Sequence, residues 1–116
     1  MSQDYEGLIQ ELQSQLEVLQ KEIALQVEPS PSLAKNWWRS HREIQAFFQS
    51  QIINTELEVT PANLSLQVEL DKQLKMLGVD LSMLQTARNP ATWEKRYQQA
   101  SDRFGLLKKY CEMHLN

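Results

Sequence analysis

One rhythm limits what this chain can become. Tyr5, Ile9, Leu12, Leu16, Leu19 and Ile23 follow one another by alternate steps of four and three residues. At 3.6 residues per turn these side chains fall along a single helix face. A strand would need alternation at every second residue, which is absent here. Three further stretches behave alike. Leu33, Trp37, Ile44, Phe48 and Ile52 share a face that also takes in His41, with Trp38 and Phe47 at its shoulders. Leu66, Leu70, Leu74, Leu77, Leu81 and Leu84 form the third seam, and Trp93, Tyr97, Ala100, Phe104, Leu107, Cys111 and Leu115 the fourth.

Breaks separate the seams where helix chemistry fails. Val27-Glu28-Pro29-Ser30-Pro31-Ser32 holds two prolines and two serines, a turn or short linker. Glu58-Val59-Thr60-Pro61 offers an N-cap threonine followed by a proline suited to the first helical position. Asn89-Pro90 repeats that arrangement. The spacing predicts helices over about 2–27, 32–57, 61–87 and 90–116, each about 37 Å long at 1.5 Å per residue. Only three glycines and four prolines occur in 116 residues, so little else interrupts them. Short links favour antiparallel neighbours, so the expected fold is all-α, a single-domain antiparallel four-helix bundle running up-down-up-down. The alternative is a pair of helical hairpins that completes its core as a homodimer, because the first and fourth seams are nearly strict heptads.

Charge is unevenly spread. Residues 1–28 carry six acids and one base, and residues 88–116 six bases and three acids. In the expected topology the first and last helices are adjacent and these charges would attract. The net charge of -3 argues against a general nucleic-acid binder. The opening MSQDYEG starts no secretory pattern, and no apolar run approaches the roughly 18 residues of a membrane span. The expectation is a cytoplasmic protein without membrane insertion.

Chemistry is sparse. A di-iron bundle needs Glu-x-x-His steps facing inward, and none is present. Cys111 lies on the fourth seam, where a buried thiol acts as a small hydrophobe. His41 lies within an apolar face, and a buried histidine with one hydrogen bond explains it without catalysis. Gly7, Gly78 and Gly105 are scattered through helices instead of forming a phosphate loop, and Gly78 and Gly105 suit close helix contact. No enzyme activity, cofactor or metal is expected.

What is left is surface. Off their seams the helices carry Val18, Leu25, Val68, Met76, Val79 and Met83. On the fourth helix Leu106, Tyr110 and Met113 form a second stripe bordered by Lys109. Trp38 and Arg42 stand four apart, placed to stack as a cation–π pair. Aromatics, methionine and arginine are enriched in protein interfaces. The candidate partner-binding residues are therefore Trp38, Arg42, Leu106, Lys109, Tyr110 and Met113. A bundle helix buries about three positions in seven, which would consume some of them.

Two segments also resemble a known family. Lys72, Gln73, Leu74, Leu77, Asp80, Leu84, Gln85, Ala87 and Arg88 are followed by the link Pro90-Ala91-Thr92. Asp102, Arg103, Leu107, Tyr110 and Cys111 come after it. This order of parts resembles the C-terminal half of the PatD family, the cyanobacterial heterocyst frequency control proteins. Gln45-Ala46-Phe47-Phe48-Gln49-Ser50-Gln51-Ile52 is similar to the family's second helix. The likeness runs from about Gln45 to Leu115 and leaves out Met1 to Asn36. It implies a small helical regulator of cyanobacterial cell division and heterocyst frequency, at the division site, that binds FtsZ and modulates its assembly. It assigns no contact residues.

Overall fold

Three of the four helices begin where a side chain accepts from a first-turn backbone N–H, and the second begins with Pro31 in its first turn without such a cap. Asp4 Oδ1 accepts from the Gly7 N–H at 2.6 Å, Thr60 Oγ1 from Asn63 N–H at 3.2 Å and Asn89 Oδ1 from Thr92 N–H at 2.9 Å. Such caps satisfy donors that the helix itself leaves unpaired. A computed structural model describes residues 4–26 and 30–115, the side chains of residues 31 and 115 excepted. It contains α1 (Tyr5–Ala24), α2 (Pro31–Phe47), a π-helical turn (Phe48–Ile53), α3 (Pro61–Thr86) and α4 (Pro90–Leu115). The Val27–Pro29 part of the linker and the seam position of the Leu115 side chain lie outside the described residues.

The fold is the expected all-α four-helix bundle, 47 Å long and 23 × 19 Å across. α1 packs on α2, α2 on α3, α3 on α4, and α1 closes the ring against α4. The four seams meet on the inside: Ile9, Leu12, Phe48, Leu70, Leu77, Leu84 and Leu107 are all fully buried. The Trp37 and Trp93 rings, with centroids 5.9 Å apart, join the starts of α2 and α4 across the bundle. These seams close on one another within one chain, so the core is complete without a second copy.

Three expectations are corrected. Leu33 is 39% exposed, and its neighbour Ala34 takes the buried place at the start of α2. The second helix does not run to Leu57. It loosens into the π turn, closed by Asn54 N–H to the Gln49 carbonyl at 3.1 Å, and stops at Ile53. Phe48 and Ile52 within this turn are both in the core. The first helix is shorter than the expected span of about 2–27, running from Tyr5 after the Asp4 cap to Ala24. The acidic α1 and basic α4 are neighbours, as expected; the ion pairs found among the described residues, Lys75–Asp71 and Arg103–Asp80, lie within α3 and between α3 and α4.

The glycines also divide. Gly78 makes room for the His41 ring that reaches from α2 to α3: a Cβ added there would sit 2.7 Å from His41 Cε1. Gly105 faces open space and makes no close contact. Gly105→Ala should therefore stabilise the protein by about 1 kcal/mol through helix propensity alone. Gly78→Ala should destabilise it by about 1–3 kcal/mol, because a buried ring must move. Urea unfolding of both variants checks the opposite signs.

Candidate docking surface

α3 decides which surface is left open. Its seam is buried, but it is only weakly amphipathic, because apolar residues also occupy its outer side. Met76, Val79 and Met83 recur there at steps of three and four and are 39%, 46% and 37% exposed. Val79 and Met83 line two grooves at once. One, of about 640 Å³, lies between α2 and α3 and includes Trp38, His41, Arg42, Lys75 and Gly78. The other, of about 340 Å³, lies between α3 and α4 and includes Met76, Asp80, Arg103 and Leu106. The outer face of α3 is thus a ridge between two troughs, edged by Trp38 on one side and Leu106 on the other.

Buried polar contacts hold the walls of these troughs. His41 Nε2–H donates to the Leu74 carbonyl at 2.6 Å, which leaves Nδ1 as the acceptor nitrogen. That Nδ1 has no hydrogen-bond partner among the described residues. Burial lowers the His41 pKa despite the favourable carbonyl, so the ring is neutral and fits against Gly78 without a desolvated charge. This is the expected buried histidine with one hydrogen bond. On the other wall Arg103 reaches from α4 to α3, donating to Asp80 Oδ2 at 3.1 Å and Gln73 Oε1 at 2.7 Å. Asp80 and Gln73 are buried, so their polar atoms would be costly without this arginine.

A third polar cluster lies at the end of the bundle where α1 and α4 meet. Gln67 Nε2–H donates to Tyr5 Oη at 2.8 Å, which leaves the hydroxyl proton for His114 Nδ1 at 3.2 Å. Burial pushes the His114 pKa down to about 4, against a smaller opposing effect of the Leu66 backbone carbonyl. Burial, reinforced by Glu112 and Glu17, pushes the Cys111 thiol up to about 12. A buried thiol held protonated is a weak nucleophile. Among the described residues no cluster of three His, Cys, Asp or Glu side chains is placed to hold a metal, and no helix is long and apolar enough to cross a membrane.

The six candidate contact residues do not form one patch. Arg42 Cζ stands 4.9 Å from the Trp38 ring centroid, the expected cation–π stack, on the α2 rim of the larger groove. Leu106 lies in the α3/α4 trough. Lys109 and Met113 are exposed beyond it on α4. Tyr110 is half-buried and packs on the core, so it contributes to stability as well as to surface. Met76, Val79 and Met83, which link the two rims, were visible in the sequence as off-seam residues. Their three-and-four spacing was the signal that they form a stripe of their own.

The two histidines make stability depend on pH in a defined direction. In the unfolded chain a histidine takes a proton near pH 6.5; in the folded protein His114 does so only at about 4, and His41 is lowered as well. Between those values the unfolded state binds more protons. Stability is then full above about pH 6.5 and is lost as pH falls. From about pH 7.5 to about pH 5 the loss owed to His114 is on the order of 2 kcal/mol. Urea melts at the two pH values should show this drop, and His114→Gln should reduce the difference.

No family model matches this chain, and neither a curated protein nor a solved structure matches it.

Proposed function

We propose that this protein is a non-enzymatic interaction module that binds FtsZ and modulates its assembly, acting in cyanobacterial cell division and heterocyst frequency, in the cytoplasm at the division site. Two things support the reading. The partner comes from the resemblance of the 72–111 region to the PatD family. The mode comes from the outer face of α3, where three large apolar side chains stand exposed at helical spacing. That exposed stripe is the observation that carries an interaction role, since contiguous apolar surface of this kind marks protein contact sites. Docking would make and break no bond.

The test is co-sedimentation with FtsZ polymerised by GTP, with light scattering followed in parallel. Saturable co-sedimentation with altered scattering is expected. Val79→Ser and Met83→Ser should each weaken it about tenfold, the loss typical of a 1–2 kcal/mol interface residue, with helicity by circular dichroism unchanged. Absence of binding across physiological salt, with both proteins folded, would overturn the reading.

A further inference from the structure

The groove between α2 and α3 differs from the rest of the surface in charge as well as in shape. Its floor is apolar: Trp38, Val79 and Met83 line it together with the edge of His41. Its charged lining residues, Arg42 and Lys75, are both basic. The α2 rim extends this character, since Lys35, Arg39 and Arg42 recur at steps of four and three and are all exposed. None of these three makes an ion pair among the described residues. Lys75, in contrast, is held by Asp71 at 2.8 Å. On the opposite flank of α2, the groove against α1 is lined by Glu22 and Glu43. Helix α2 therefore separates a basic, apolar-floored trough from an acidic one, in a chain whose net charge is -3.

We infer that the α2/α3 groove binds an acidic protein segment that places a large apolar side chain on Val79 and Met83 and a carboxylate on Arg42. Arg42 Cζ lies over the Trp38 ring, 4.9 Å from its centroid, so the ring braces one side of the guanidinium, and its N–H groups, in no ion pair among the described residues, can take a carboxylate. Lys35 and Arg39 supply the longer-range attraction that steers an acidic partner. A second copy fits less well, because a two-fold contact would set this basic rim against itself. A nucleic acid fits less well too: phosphate binding needs a row of unpaired cations over a polar track, and here the floor is apolar. The inference rests on the interaction-module reading, and it holds whether or not FtsZ is the partner.

The probe is a phage-displayed library of random 16-residue peptides panned on the full chain, with Arg42→Glu as counter-selection. Enrichment of sequences that combine Asp or Glu with an aromatic or aliphatic anchor is expected. A synthetic peptide of that sequence should lose at least tenfold in affinity against Arg42→Glu and against Val79→Asp, and should keep it against Glu43→Lys. Circular dichroism and thermal melts would show these surface variants folded. No enrichment, peptides that bind Arg42→Glu unchanged, salt-sensitive binding of random-sequence DNA lost in Arg42→Glu, or a dimer abolished by that substitution would each overturn the inference. FtsZ binding that survives Arg42→Glu, together with no peptide enrichment, would remove the groove and leave the function. Groove-binding peptides without any FtsZ binding would remove the named partner and leave the groove.

Discussion

The contact between His41 and Gly78 sets the spacing on which the outer surface depends. A ring edge occupies the space where any other residue at position 78 would carry a Cβ. The Nε2–H bond to the Leu74 carbonyl then fixes the ring's rotation. Because α2 is held this close to α3, Trp38 and Arg42 stand across a shallow trough from Val79 and Met83, not over solvent. Burial keeps the imidazole neutral, so the contact adds packing and one hydrogen bond without a buried charge. A charged side chain at position 41 would hold the helices apart.

The polar contacts inside the bundle set register more than they add stability. Buried ion pairs recover little net energy, because both charges must leave water. Arg103 with Asp80 and Gln73 allows α4 one position along α3. Any slide would leave buried polar atoms unpaired, each costing about 1–3 kcal/mol. The chain of hydrogen bonds from Gln67 through Tyr5 to His114 does the same where α1, α3 and α4 meet. Leucine seams alone would tolerate a shift of one heptad, so these groups choose among packings that the apolar core leaves nearly equal.

Functional readings of such a bundle have to come from its outside. The core is ordinary, the titratable groups within it are held neutral or paired, and the distinctive features are an apolar ridge on α3 and a basic rim on α2. Both belong to elements whose buried faces are fully used, so the exposed residues are surplus to folding. That surplus motivates an interaction role, and the 72–111 motif order supplies FtsZ as the partner to try.

The sequence by itself determined the four helical segments, the Thr60 and Asn89 caps and the ring of neighbours. Seams at steps of four and three, Thr60-Pro61 and Asn89-Pro90 are local signals, and local signals survive without knowledge of the partner helix. The buried states of Cys111 and His41 were legible for the same reason, since both stand on a seam. Leu33 was misplaced because a helix start has fewer neighbours to cover it, and Ala34 fits that closer approach. The π turn was invisible, because Phe48 and Ile52 have the four-residue spacing that an ordinary α-helix also places on one face. The tertiary structure alone decided which off-seam residues share a surface. Val79 and Met83 join Trp38 along one groove because α2 packs beside α3 with the His41 ring against Gly78, and Tyr110 packs on the core while Met113 stays out. Spacing along one helix gives the angle of a side chain about its axis, but what covers that angle is set by how far away the next helix lies.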